Sequence, residues 1–302
     1  MREMGAAVGG EPSVRSHHGP QAARFHGVKS ASTSADCALL FFGLAKQFQL
    51  VVLPSITRHI LSRNPGCDIY AHTYNVSETS NARNGEARVA IDPSEVFALT
   101  RRVVMDSEAA FLHARNLTWF RQYFPWKEKD IKPLGGWLYP TSMDNMIKQW
   151  HSIERVWYLM ARSGVRYARV GLFRLDVQYV TDIDVHDGGD AVVPQFASLP
   201  QIDHINDRMV YGTFASAEIW ATRRFSHAEK YVASHPHIHS ETFLSDLLAT
   251  NNVHPVLHPA ICFCRVRATG KISVDDCDDT PGWHIWHRKP TVCSLPTAFG
   301  RR

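Results

Sequence analysis

Arg174 and Asp176 lie two positions apart at the end of the run Tyr167-Ala-Arg-Val-Gly-Leu-Phe173, which reads as a strand. Residues i and i+2 of a strand share a face, so one cation and one anion stand side by side at a strand end. Charge in an otherwise apolar strand is costly unless it is paired or liganded. Two readings follow: an ion pair internal to the protein, between these two or with a neighbouring strand, or a polar site for the diphosphate of a nucleotide. Glu241 is a second candidate, in the first turn of a helix that Ser240 is placed to cap. The helix dipole alone favours an acid there. His235, His237 and His239 alternate in the preceding loop. Without Cys or Glu at fixed spacing, they read as a solvated loop before a metal cluster.

The elements that must position these residues can be read from periodicity. Cys37–Phe42 is apolar without interruption, which predicts a strand buried on both faces, as in the centre of a parallel sheet. Leu53–Arg63 has helical spacing and is ended by Asn64-Pro-Gly66, and Cys67–Thr73 is the next strand, completing a βαβ unit. Asn75–Arg88 is polar and reads as a loop, Val103–Met105 as a short strand, Ser107–Tyr123 as a helix and Phe124–Pro140 as irregular. The longest helix follows, with Ser142 at the N-cap and Met143, Met146, Ile147, Trp150, Ile153, Trp157 and Met160 at three-and-four spacing up to Gly164. That stripe reads as core. Ala191–Pro194 and Met209–Gly212 are further strands, Ser216–Arg224 is helical, and the helix that begins at Ser240 buries Phe243, Leu244, Leu247 and Leu248. Strand-like pieces run from Val253 to Arg267. Alternating strands and helices predict an α/β fold, in which ligands bind at the C-terminal ends of the strands, where Arg174 and Asp176 fall.

Composition narrows the class of protein. The 302 residues carry 33 Lys and Arg against 29 Asp and Glu, a net charge of +4, and 44% are hydrophobic. Such balance excludes general disorder and gives no concentrated basic surface for nucleic acid. Residues 1–35 read as a disordered tail without the apolar run of a signal peptide, residues 36–270 as one domain, and residues 271–302 as an irregular extension. Cys37–Leu53 is interrupted by Lys46, Gln47 and Gln49 and is too short for a membrane span. Of six cysteines, Cys262, Cys264, Cys277 and Cys293 crowd the C-terminus. They are expected either as buried free thiols or with a bridge among those four. Asn75-Val-Ser77 and Asn116-Leu-Thr118 match the glycosylation sequon, which alone decides nothing.

The segments ALLFFGLAKQF, CDIYAHTYN, MDNMIKQWHSIERVW, RVGLFRLDV, INDRMVYG and HSETFL, over residues 37–270, together resemble GT-A-type glycosyltransferases, and within them the glycosyltransferase-like proteins of algae and related eukaryotes. The resemblance implies a single Rossmann-like GT-A-type domain with a mostly parallel sheet flanked by helices. It implies transfer of a sugar from a nucleotide-sugar donor to a glycan or glycoprotein acceptor, or a catalytically inactive member that binds nucleotide or glycan. A location in the Golgi or endoplasmic reticulum lumen would follow. In GT-A enzymes an acidic D-x-D motif holds Mn²⁺ or Mg²⁺ on the donor diphosphate. Here Arg174-Leu-Asp176 stands in that place, so Asp176 remains as a metal ligand and Arg174 puts metal dependence in doubt. His258 or His254 would be the C-terminal metal histidine, Glu241 the general base, and Lys46 a phosphate contact or an exposed lysine. Asn206 and Asp207 would touch the donor sugar or form a turn, where both types are common.

Overall fold

A computed structural model describes residues 36–125, 137–200 and 203–273, so the expectations for residues 1–35 and for most of the C-terminal extension fall outside the described residues. Its strands are β1 (Cys37–Phe42), β2 (Asp68–Tyr74), β3 (Glu78–Asn81), β4 (Glu86–Ala90), β5 (Val103–Asp106), β6 (Arg169–Arg174), β7 (Val177–Tyr179), β8 (Ala191–Pro194), β9 (Val210–Thr213), β10 (Val256–His258), β11 (Phe263–Val266) and β12 (Ile272–Ser273). The helices are α1 (Leu53–His59), α2 (Glu108–Ala114), α3 (Leu117–Arg121), α4 (Thr141–Ala161), α5 (Phe214–Thr222), α6 (Arg224–Val232) and α7 (Ser240–Thr250). Seven strands form the central sheet in the order β10-β8-β9-β6-β1-β2-β5. Every pairing in it is parallel except those of β9, which runs antiparallel to β6 and β8. The protein is thus an α/β fold with a mostly parallel sheet flanked by helices.

The uninterrupted apolarity of β1 has the expected cause. Ala38, Leu40 and Phe42 enter the core that α4, α5 and α7 close, while Cys37, Leu39 and Phe41 enter a second core on the opposite face with α1 and β7. The Met and Trp stripe of α4 belongs wholly to the first core. No helix among the described residues is long and apolar enough to cross a membrane.

Local chemistry changes several expectations. Ser142 is not the N-cap of α4: Pro140 holds that place, and the Ser142 hydroxyl accepts the Leu138 N–H at 2.9 Å. The expected helix over Ser107–Tyr123 is two, α2 and α3, divided at Arg115–Asn116, where the Asn116 carboxamide accepts the Trp119 N–H at 3.1 Å and starts a new turn. Asn75–Arg88 is no plain loop, because β3 and β4 pair in it as a hairpin. Strand β12 pairs with β11.

Of the two cysteine expectations, free thiols are corrected and bridged cysteines are found. Cys37 and Cys67 are bridged, since β1 pairs with β2 from Ala38 opposite Asp68, and the residues just before that pair meet with Cα atoms 4.7 Å apart. Cys262 and Cys264 are in disulfides as well.

Candidate active-site cleft

Parallel strands bring their C-terminal ends to one edge of the sheet, and here that edge gathers the chain after Phe42, Tyr74 and Arg174. Antiparallel β9 adds what a parallel strand would not. Leu172 pairs with Val210, so Asp207 and Arg208, which precede β9, emerge beside Arg174. The start of α7 packs against the same loop, with the Ile205 N–H donating to the Glu241 carbonyl at 3.4 Å. These segments and the β3–β4 hairpin enclose a cleft of about 710 Å³, within the range of small-molecule sites.

Arg174 ends β6 and lines the cleft. Its Nε and one terminal nitrogen donate to the two oxygens of Asp176 at 2.7 and 2.8 Å, and its other terminal nitrogen donates to Gln149 Oε1 at 2.8 Å. The internal ion pair is therefore formed, and it stands in the cleft wall. Burial by itself would raise the Asp176 pKa, but the Arg174 charge and its two hydrogen bonds hold the carboxylate down at about 2. Lys46 and Arg267 act on Asp176 in the same direction.

Lys46 also lines the cleft, yet it is neither an exposed lysine nor an uncommitted one. Its side chain is 6% exposed, and its ammonium contacts both oxygens of Glu86, at 2.9 and 3.0 Å. Glu86 opens β4 and additionally accepts the Ala268 N–H at 2.6 Å, so this ion pair ties the hairpin to the loop after β1 and to the β11–β12 turn.

Asp207 and Glu241 line the same cleft. The Asp207 carboxylate accepts the Ser240 hydroxyl and the Gln149 amide, the latter at 3.3 Å, so the Ser240 side chain serves Asp207 and does not cap α7. Glu241 differs from Asp207. Its side chain is 19% exposed, and Oε2 has no hydrogen-bond partner. His239 Nδ1 lies 3.4 Å away, too long for a good hydrogen bond, and burial together with neighbouring His204 holds that imidazole at about 4, uncharged near neutrality. Burial first and the Asp207 charge second push the Glu241 carboxyl up to about 7. A cleft-lining side chain whose carboxyl changes charge near neutral pH is equipped to take a proton from a bound hydroxyl through the part that stays exposed.

The remaining candidates lie elsewhere. Asn206 is buried behind the cleft wall and spent on its turn: the carboxamide donates to the Phe196 carbonyl at 2.8 Å and accepts the Arg208 N–H at 3.0 Å. His258 ends β10, three strands from β6, and its Nδ1 accepts the Ala260 N–H at 3.2 Å; neither it nor exposed His254 lines the cleft. The three loop histidines diverge, His235 stacking on Tyr231 and His239 on His204, with His237 exposed.

Asp176 does not fit a divalent ion. Both oxygens are held by a guanidinium, and three cations act on this one carboxylate. A second group has ligand-type atoms within 4.8 Å of one another: His72, Asp106 and His151, on β2, β5 and α4. Its hydrogen bonds suit protons better than a cation. The Arg115 Nε–H donates to His151 Nδ1 at 3.1 Å, which leaves the proton on Nε2, 2.8 Å from Asp106 Oδ2. Arg155 grips both Asp106 oxygens at 2.8 and 3.2 Å. Burial lowers both imidazole pKa values, that of His151 to about 4, so neither ring carries charge at neutral pH.

Sequence reasoning missed Gln149, Glu86 and this histidine network. Gln149 sits on a helix flank without pattern, and the partners of Glu86 are distant in sequence. His72 did leave a signal, as an imidazole inside the apolar run of β2.

No protein-family model matches this chain, and no curated protein matches it. Among solved structures it is similar to mouse xyloside xylosyltransferase 1 in its apo form, with 11% identity and a TM-score of 0.38 over 74% of this chain and 85% of that one. It is also similar to the galactosyltransferase LgtC in complex with donor and acceptor sugar analogs, with 12% identity and a TM-score of 0.34 over 73% of each chain. An active-site mutant of LgtC aligns at 13% identity and a TM-score of 0.33, over 70% of this chain and 69% of that one. Scores at this level identify neither a family nor an activity, and none of them bears on the algal grouping.

Proposed function

We propose that this protein is a GT-A-type glycosyltransferase that moves a sugar from a nucleotide-sugar donor to a hydroxyl of a glycan or glycoprotein acceptor. The observation that carries the reading is Glu241: a side chain that lines the same cleft as the Arg174 guanidinium, with its carboxyl pushed up to about 7 by burial and the Asp207 charge. In the reaction, Glu241 takes the proton of the acceptor hydroxyl as its oxygen bonds to the anomeric carbon. The bond from that carbon to the donor phosphate oxygen breaks, and the nucleotide leaves with the electron pair. Arg174 faces the charge that develops on the leaving group. Burial and then Asp207 keep the Glu241 pKa high, and Gln149 links Arg174 to Asp207 by accepting from the one and donating to the other.

The disulfides of Cys37, Cys67, Cys262 and Cys264 suit an oxidising compartment, and with the transferase reading they favour the Golgi or endoplasmic reticulum lumen. A second reading has a specific observation behind it. The closed Arg174–Asp176 pair suits a member that binds nucleotide or glycan without turnover. Glu241→Gln separates the two when the full chain is incubated with UDP-, GDP- and CMP-sugars: an enzyme loses turnover and keeps donor affinity, whereas a binding protein has no turnover to lose.

A further inference from the structure

Resting on the transferase reading, we infer that the Arg174 guanidinium does the work of a divalent cation, so that a nucleoside diphosphate binds this cleft with no metal ion present. A guanidinium has five N–H donors. Arg174 commits three of them, two to Asp176 and one to Gln149, and the remaining two belong to a side chain that lines the cleft. Asp176 and Gln149 thereby fix the plane of the fork, and a planar fork with adjacent N–H groups matches two phosphate oxygens. Both Asp176 oxygens are already taken by the guanidinium, so a divalent cation would have to displace Arg174 to reach them. Asp176 acts here through Arg174, as does Gln149; both are positioning residues, and Arg174 is the group that touches the ligand.

The test is calorimetric titration of the full chain with UDP, GDP and CDP, in EDTA and again in Mn²⁺. The inference expects at least one diphosphate to bind in EDTA, with no gain from Mn²⁺. Arg174→Gln should weaken that binding about 30-fold or more, the scale of losing charge-assisted hydrogen bonds. Because this variant leaves Asp176 without its cation, the double change Arg174→Gln with Asp176→Asn removes both charges, keeps a folded control checked by circular dichroism, and should bind as weakly. Arg174→Asp should instead make binding depend on Mn²⁺. Binding by the unaltered chain that requires Mn²⁺, or full affinity in the double variant, overturns the inference and leaves the transferase reading standing. Absence of binding by all three diphosphates in both conditions overturns that reading along with it.

Discussion

At the scale of single residues, the cleft depends on how one carboxyl differs from its neighbour. Asp207 is supplied with a hydroxyl and an amide, whereas Glu241 keeps an oxygen without a partner. As a general base Glu241 must be ionised, so turnover should rise with pH through about 7 and level off above it, and a pH–rate profile with saturating donor reads this. The same group makes a stability prediction. Its folded pKa lies above the ordinary value of 4.5, so between about 4.5 and 7 the folded state holds a proton that the unfolded state has lost, and stability falls as pH rises across that window. Glu241→Gln removes the penalty: its melting temperature should exceed that of the unaltered protein at pH 8 and match it near pH 4, a difference on the order of 3 kcal/mol at most. Equal melting temperatures at pH 8 would contradict the burial argument. The pairing of Arg174 with Asp176 was legible beforehand, because period two puts both on one face. Gln149 was not, since its bond to Arg174 spans 25 residues and exists only once α4 crosses the sheet.

Elements bring these residues together, and the direction of β9 matters most. Were β9 parallel, its leading loop would lie at the opposite edge, away from Arg174; running antiparallel, it delivers Asp207 to the cleft. Gly212 permits the close approach of β9 to β8, because a Cβ there would stand 1.9 Å from the Asp190 carbonyl oxygen. Gly212→Ala should therefore destabilise the fold by several kcal/mol, visible in a denaturant titration, and should lower donor affinity in the folded fraction by displacing Asp207. Glu86 is the second test at this scale. Glu86→Gln leaves the Lys46 ammonium buried without its counter-charge, a loss of about 3 kcal/mol or more by thermal unfolding. Buried strands and the stripe of α4 could be read from hydrophobic pattern, which reports burial directly. The β3–β4 hairpin could not, for β3 is polar throughout, β4 is short, and the hairpin is tied in by Glu86 binding Lys46 across 40 residues. The direction of β9 was equally hidden, since an apolar run of four residues carries no mark of its orientation.

At the scale of the whole molecule, two cores back to back on one sheet hold the cleft at an edge, and covalent links add to them. The Cys37–Cys67 bridge joins the starts of β1 and β2 across 30 residues, and its loss should cost about 3–4 kcal/mol in the chain-entropy account. Cys37→Ala with Cys67→Ala should lower the melting temperature in oxidising buffer, while leaving the edge of the sheet that carries the cleft intact and donor affinity unchanged. That bridge was missed because cysteine spacing says nothing of strand register, which alone set these two side by side. What the cleft does is read by mass-spectrometric detection of sugar transfer by the full chain and by Glu241→Gln, against UDP-, GDP- and CMP-sugars with a mixed glycan and glycoprotein acceptor pool. The unaltered chain should transfer from one donor class, and the variant should lose about a hundredfold or more of that transfer while its donor affinity persists. Equal transfer by both proteins, or loss of donor affinity along with turnover in a folded variant, would contradict it.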